Sequence, residues 1–171
     1  AIVLSPKTPQ LHYWFGKFLL HSEENVDEAV EQFRIAHDLD LDSTEVSLAL
    51  ARGYLFQHEF DETQKLLIQL SPNISTADDH LQKIYRDTEI QVLYRRGDDF
   101  SKSGNFGEAM GCLEEMRAKF QDLNEKHKDK HIRQKLTKCN YMLQKILNSP
   151  RDDLNARASE MCSWIESESI S

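Results

Sequence analysis

The feature that most constrains this fold is an internal repeat of apolar and small residues. Ala29 and Thr63 lie 34 residues apart, and the same offset aligns the apolar positions around them. A third copy follows in the stretch GNFGEAMGCLEEM, where Ala109 lies 46 residues after Thr63. Periods of about 20 to 50 residues are typical of stacked supersecondary units, and 34 residues suit two helices joined by a turn. The repeat therefore predicts stacked helix pairs.

Each copy places small residues where two helices would cross, with larger residues beside them. Small residues let antiparallel helices approach closely, and larger side chains fill the space on either side. The positions that carry the pattern are Phe15, Gly16, Leu19, Val26, Ala29, Phe33 and Ala36; then Leu50, Ala51, Tyr54, Phe60, Thr63, Leu67 and Leu70; then Leu93, Gly97, Phe100, Gly104, Phe106, Ala109, Leu113 and Met116. On these residues the chain resembles the tetratricopeptide repeat family. It departs from that pattern at His58, which replaces a turn glycine, and at Thr63, which replaces an alanine.

The resemblance implies an all-α fold, a right-handed α-solenoid of antiparallel helix pairs with a divergent C-terminal capping pair. Residues 10–125 would form three helix pairs, the third with a long first helix. Residues 126–171 would form the capping helices and a frayed tail. Residues 1–9 would be the end of a preceding repeat or a connector, because AIVLSPKTP reads like a last helical turn followed by a proline-containing connection. On that interpretation the chain is part of a larger protein.

Local signals predict where several helices begin. Asp42 or Ser43 can cap one helix, and Thr76 can cap the long first helix of the third pair. Ser149 followed by Pro150 has the order expected of a cap and a first helical turn. Two narrow apolar stripes near the C-terminal end advance in steps of three and four residues, which predicts a closing pair of amphipathic helices.

Cysteine usage and hydropathy indicate the setting. The three cysteines, Cys112, Cys139 and Cys162, lie far apart and form no CxxC pair, so neither a disulfide framework nor a zinc knuckle is indicated. No apolar run approaches the roughly 20 residues needed to cross a bilayer. These features favour an intracellular, cytoplasmic protein with no membrane partner.

Motifs of catalysis and cofactor binding do not occur in the sequence. It contains no glycine-rich phosphate loop, no HExxH and no Gly-x-Ser-x-Gly. His127 and His131 lie one helical turn apart, but lysines surround them and no third ligand is evident. We therefore expect no enzyme, no cofactor and no metal, and a catalytic domain with unrecognised chemistry is the weaker alternative.

Charge is segregated along the chain, although the formal net charge is −8. Residues 23–45 hold nine acids against one arginine, whereas residues 117–138 hold eight bases against three acids. Solvated faces explain most such runs. The basic segment leaves open an alternative function, an RNA-binding helical repeat, although it lacks interleaved aromatic residues.

The inner surface of the array is the main functional candidate. In the family that the chain resembles, the first helices of the pairs line a concave groove that holds a peptide or a helix. The groove positions here would be Tyr13, Lys17, Leu48, Arg52, Tyr94 and Arg95, with Gln91 and Asp98 at the edge. Aromatic and cationic side chains suit a segment of acidic character.

The resemblance thus implies a protein-interaction module whose partner is another protein or another domain of the same protein. Repeats that grip the C-terminal carboxylate of heat-shock chaperones use a set of lysine, asparagine and arginine side chains. Only Arg95 fits that set here, so a chaperone partner is disfavoured.

Overall fold

A computed structural model describes residues 7–22, 25–123, 125 and 128–170. Within these ranges the structure has eight α-helices and no strand, which confirms the all-α prediction. The helices are α1 (Pro9–Leu20), α2 (Val26–Leu39), α3 (Thr44–Phe56), α4 (Phe60–Ile74), α5 (Asp79–Lys102), α6 (Phe106–Gln121), α7 (Lys130–Leu147) and α8 (Asp152–Ile170). No helix in the described part of the chain is both long enough and apolar enough to cross a membrane.

The chain divides into two compact units, unit 1 (Ala1–Tyr85) and unit 2 (Arg86–Ser171). The boundary falls inside α5. Residues 1–9 were expected to be the end of a preceding repeat or a connector. Most of them lie outside the described residues, the first of which is Lys7.

In unit 1, α1 packs against α2, α2 against α3 and α3 against α4, and α1 also contacts α3. The connections between these helices are short, within the range that is common for neighbouring helices of a bundle. Phe33 of α2 is fully buried at the centre of this unit, with Tyr13, Ala29 and Leu50 in the same cluster. The apolar spacing on each helix thus supplies one face of a shared core.

Close helix approach in unit 1 occurs at small residues. A Cβ atom added to Gly16 of α1 would lie 2.7 Å from Cε1 of Phe33, and one added to Gly53 of α3 would lie 2.7 Å from Cγ2 of Val30. Between α3 and α4, the Oγ1 atom of buried Thr63 lies 3.3 Å from the carbonyl oxygen of Ala51. Thr63 can therefore occupy a position where the repeat has a small residue, because its hydroxyl donates to the backbone carbonyl oxygens of Ala51 and Glu59.

In unit 2 the helices α6, α7 and α8 contact one another. A Cβ atom added to Gly97 of α5 would lie 3.3 Å from Cβ of Cys112 on α6, so these two helices also approach at a glycine. The rings of Phe120 and Trp164 meet edge to face with centroids 5.6 Å apart. The predicted pairing of the two C-terminal amphipathic helices, α7 and α8, is confirmed.

The same turn occurs after α3 and after α5. His58 has φ 62° and Gly104 has φ 78°, so both adopt the left-handed conformation. The following amide nitrogens make equivalent bonds, from Glu59 to the carbonyl of Tyr54 at 2.9 Å and from Asn105 to the carbonyl of Phe100 at 2.8 Å. The histidine that replaces a glycine in the repeat therefore keeps the backbone geometry of a glycine.

Two of the predicted helix starts are wrong. The long helix begins at Asp79, because Oδ1 of Asp78 accepts a hydrogen bond from the amide of Leu81 at 2.8 Å. The hydroxyl of Thr76, the predicted cap, instead donates to the carbonyl of Asn73 at the end of α4. In the same way Ser149 donates to the carbonyl of Ile146 at the end of α7, and α8 begins only at Asp152.

Side-chain hydrogen bonds hold the start of α3 and the end of α8. Ser43 caps α3 as predicted, since its Oγ atom accepts from the amide of Val46 at 3.3 Å. The C-terminal segment for which fraying was predicted forms the last turns of α8, which extends to Ile170. Arg133 of α7 donates to both the carbonyl and the carboxylate of Glu168, which fixes the last turns of α8.

Candidate protein-interaction site

Four of the predicted groove residues line one cavity of unit 1, with a volume of about 410 Å³. Tyr13 and Lys17 come from α1, and Leu48 and Arg52 come from α3. Each pair is four residues apart, which places both side chains on the same face of their helix. Because α1 and α3 contact each other, the two faces form one wall. We call this space the unit 1 cavity.

The floor of the unit 1 cavity is apolar. Phe33 and Leu48 are almost completely buried beneath it. The remaining apolar lining comes from α1, α3 and the first turns of α5, namely Leu20, Ala49, Phe56, Leu81 and Ile84. Ligand sites are typically concave spaces of about 300 to 1,000 Å³ that combine apolar side chains with placed polar groups, and this cavity has that size and both kinds of side chain.

Tyr13 is the buried polar group of the cavity. Its hydroxyl donates to Oε1 of Glu45 at 2.7 Å. Burial raises the pKa of Tyr13 well above its usual value, and the carboxylate of Glu45 raises it further. The phenol is therefore held neutral and oriented, and the Nζ atom of Lys17 lies 5.2 Å from its ring centroid and 4.7 Å from that of Trp14.

Basic side chains outnumber acidic ones around the cavity. Lys17, Arg52, His21 and His80 line it, against the single carboxylate of Glu45. Arg52 makes no hydrogen bond or ion pair with any residue that the structure describes, and it is half-buried. A guanidinium group beside apolar side chains, with no described carboxylate bound to it, is suited to binding an acidic group of a ligand.

The other four predicted residues, Gln91, Tyr94, Arg95 and Asp98, belong to unit 2 and are half-buried on α5. Asp98 is already paired with Nζ of Lys102 at 2.6 Å. Burial raises the pKa of Tyr94, and the neighbouring Cys139 and Asp98 raise it further. None of the four lines the unit 1 cavity.

Sequence reasoning missed several exposed or cavity-lining residues. Tyr141 of α7 is 50% exposed, with Nζ of Lys145 4.5 Å from its ring centroid. The sequence did contain a signal for this exposure, because Tyr141 lies outside the apolar stripe of α7. His80 and Phe56 line the unit 1 cavity, but nothing in their local sequence distinguishes them from other surface residues.

Ion pairs within unit 2 engage most of the basic segment. Of the seven bases between residues 117 and 138 that the structure describes, five have an acidic partner in the same unit. The pairs are Arg117 with Glu160, Lys119 with Glu89, Lys128 with Glu125, Arg133 with Glu168 and Lys135 with Asp87, at 2.9–3.3 Å. Only Lys130 and Lys138 of the described bases lack such a partner. The geometry therefore gives the RNA-binding alternative little support.

The remaining titratable groups indicate no second site. His127 lies outside the described residues, and Nε2 of His131 lies 2.8 Å from Nζ of Lys135. Burial lowers the pKa of Lys135, an effect that Asp87 opposes. Burial also raises the pKa of Cys139 to about 12, which makes this thiol unreactive. Across the described part of the chain, no three His, Cys, Asp or Glu side chains cluster in a way that could hold a metal ion.

Comparison with known proteins does not name a family. The chain has no significant match among protein-family models, curated proteins or solved structures.

Proposed function

We propose that this chain is a protein-interaction module, built of tetratricopeptide-like helix pairs, that binds a peptide or helix of acidic and apolar character. The unit 1 cavity is the binding site in this proposal. The observation that carries it is the position of Arg52, a half-buried guanidinium without a described acidic partner, at the edge of a cavity with an apolar floor.

The lining residues divide the recognition into two parts. An apolar side chain of the ligand would lie over Phe33 and Leu48, where removal from water supplies about 25 cal/mol per Å² of buried apolar surface. A carboxylate beside it would meet Arg52 and Lys17, and charge-assisted hydrogen bonds of this kind are about twice as strong as neutral ones. Glu45 would repel acids at its own edge, which gives the ligand a preferred direction.

Selection from a library of random twelve-residue peptides displayed on phage tests the proposal. We expect the full 171-residue chain to enrich peptides in which Leu or Phe lies next to Asp or Glu. Fluorescence anisotropy with labelled copies of the selected peptides then measures the dissociation constant. Arg52→Glu should weaken binding at least tenfold, because it replaces an attraction for carboxylate by a repulsion.

Lys65→Glu is the matched control. It makes the same change of charge at an exposed lysine of α4 that does not line the cavity. Its affinity for the selected peptides should stay within about twofold of the unsubstituted chain, as expected for a screened surface charge. Selected peptides that bind Arg52→Glu as well as the unsubstituted chain would refute the proposal, and so would a failure to enrich any peptide.

A further inference from the structure

We propose that the unit 1 cavity binds the turn between α2 and α3 of a second copy of this chain. The segment that we call the acidic turn comprises the last two residues of α2 and the first three residues of this turn, with the sequence Asp38-Leu39-Asp40-Leu41-Asp42. In the proposed contact Leu41 enters the cavity and the aspartates meet Arg52 and Lys17. The inference rests on the proposed function, because it assigns an occupant to the same cavity.

The acidic turn presents apolar side chains to water. Leu41 is 67% exposed and Leu39 is 42% exposed. A single exposed leucine is ordinary on a protein surface. Two leucines that alternate with three aspartates, however, make a short segment with the acidic and apolar character that the unit 1 cavity would recognise.

The carboxylates of the acidic turn are available. Asp40 and Asp42 form no side-chain hydrogen bond or ion pair with any residue in the described ranges. Asp38 has Nδ1 of the adjacent His37 at 4.0 Å and an electrostatic attraction to Arg34, but its side chain is 73% exposed. Asp40 and Asp42 therefore contribute their charge to the surface of unit 1 without a described partner, and Asp38 adds a mostly exposed carboxylate.

The backbone of the acidic turn is already ordered. The amide of Asp40 donates to the carbonyl of Ala36 at 3.1 Å, and the amide of Ser43 donates to the carbonyl of Asp40 at 3.4 Å. Ser43 then caps α3. A segment that is fixed before it binds loses less conformational entropy on binding.

The turn does not occupy the cavity of its own unit. Leu41 and Asp42 line a different, smaller depression of about 200 Å³, together with His37 and Asn73, whereas the unit 1 cavity is lined without them. Each copy therefore carries both halves of the contact on different parts of its surface. Such a heterologous contact joins copies head to tail, into a ring if the rotation closes and into an open chain if it does not.

The contact area is small, so the association should be weak, with a dissociation constant on the order of 100 µM. Sedimentation velocity of the 171-residue chain from about 10 µM to 1 mM measures it. We expect the weight-average sedimentation coefficient to rise with concentration. Arg52→Glu and Leu41→Ser should each weaken self-association at least tenfold, the first through the cavity and the second through the turn.

Mixing the two variants is the decisive measurement. Arg52→Glu and Leu41→Ser should each self-associate only weakly, but the intact turn of the first can enter the intact cavity of the second. An equimolar mixture should therefore form a dimer and nothing larger. A mixture that sediments as monomer, or an unsubstituted chain that stays monomeric at 1 mM, would overturn the proposal.

Ile68→Ser is the matched control for Leu41→Ser. Ile68 of α4 is 72% exposed, so the substitution removes an equally exposed apolar side chain from the same unit. Self-association should be unchanged in this variant, and equal loss in both would show that Leu41 has no special part. Circular dichroism of each variant verifies that the helices are intact.

The failure of this inference can be told apart from failure of the proposed function. If selected peptides bind through Arg52 while the chain stays monomeric at 1 mM, the peptide-binding function stands and the self-recognition is wrong. If the chain self-associates through Arg52 and Leu41 but enriches no library peptide, the self-recognition stands and the broader peptide-binding function is wrong.

Discussion

Replacing Gly104 by alanine tests the left-handed turn that follows α5. The residue has φ 78°, and a Cβ atom added there would meet no heavy atom within 4 Å. The substitution therefore introduces no clash, and its effect comes from the backbone alone. A non-glycine residue in this conformation costs about 1–2 kcal/mol, part of which is offset because alanine loses less entropy on folding. We expect the free energy of unfolding to fall by about 1 kcal/mol.

Gly111→Ala is the matched control for this prediction. Gly111 lies inside α6, it is exposed, and an added Cβ atom there also meets no heavy atom within 4 Å. Its φ is not in the left-handed region, so alanine should stabilise the helix by about 0.5–1 kcal/mol. The same chemical change should therefore give opposite signs at two glycines of one unit.

The two tryptophans make the assay specific to a unit, because Trp14 belongs to unit 1 and Trp164 to unit 2. In a Trp14→Phe background, urea unfolding followed by Trp164 fluorescence reports unit 2. With a typical urea m-value of about 1–3 kcal/mol/M, the Gly104→Ala midpoint should fall by roughly 0.5 M. A midpoint for Gly104→Ala that is equal to or above the unsubstituted value would refute the argument from the left-handed conformation.

Two further predictions concern unit 1, with Trp14 fluorescence as the reporter in a Trp164→Phe background. Gly16→Ala should lower the free energy of unfolding of unit 1 by about 1–3 kcal/mol, because the added Cβ atom would lie 2.7 Å from the buried ring of Phe33. An unchanged urea midpoint would contradict this close contact. Tyr13→Phe should cost about 1 kcal/mol at pH 7 through the lost bond to Glu45. Because the pKa of Tyr13 is raised in the folded state, the stabilisation by this side chain is fully present below about pH 10 and is lost as the pH rises further. The free energies of unfolding of the Tyr13→Phe variant and the unsubstituted chain should therefore differ at pH 7 and 9 and approach each other at pH 11.

Much of the fold could be predicted from the spacing of small and apolar residues. The close contacts at Gly16, Thr63 and Gly97 occur at positions that the repeat marked, because a helix crossing needs a small side chain there. The helix starts were less predictable. Thr76 and Asp78 are both good capping residues two positions apart, and the hydroxyl of Thr76 is used by the end of the preceding helix.

The candidate site was predictable where it depends on the spacing within one helix. Tyr13 with Lys17, and Leu48 with Arg52, follow from a four-residue spacing on α1 and α3. His80 could not be predicted, since its place at the cavity depends on how the start of α5 packs. The acidic turn was visible only as a part of an acidic stretch, because the exposure of Leu41 is a property of the folded chain.

The basic segment was misleading for a related reason. Its charges were counted along the sequence, whereas four of its five ion pairs join residues that are 30 to 48 positions apart. Such partners can be identified only after α5, α6, α7 and α8 have packed.

Those ion pairs also reduce the electrostatic potential that unit 2 produces at a distance from its surface. At physiological ionic strength the field of an isolated charge decays over about 8 Å, and that of two opposite charges in contact decays faster still. A polyanion that approaches unit 2 would therefore experience only the weak potential of paired charges, although the sequence of residues 117–138 indicates a run of positive charge. Among the described bases of this segment, Lys130 and Lys138 are the ones without an acidic partner. Long-range electrostatic steering of nucleic acid to this surface should therefore be weak.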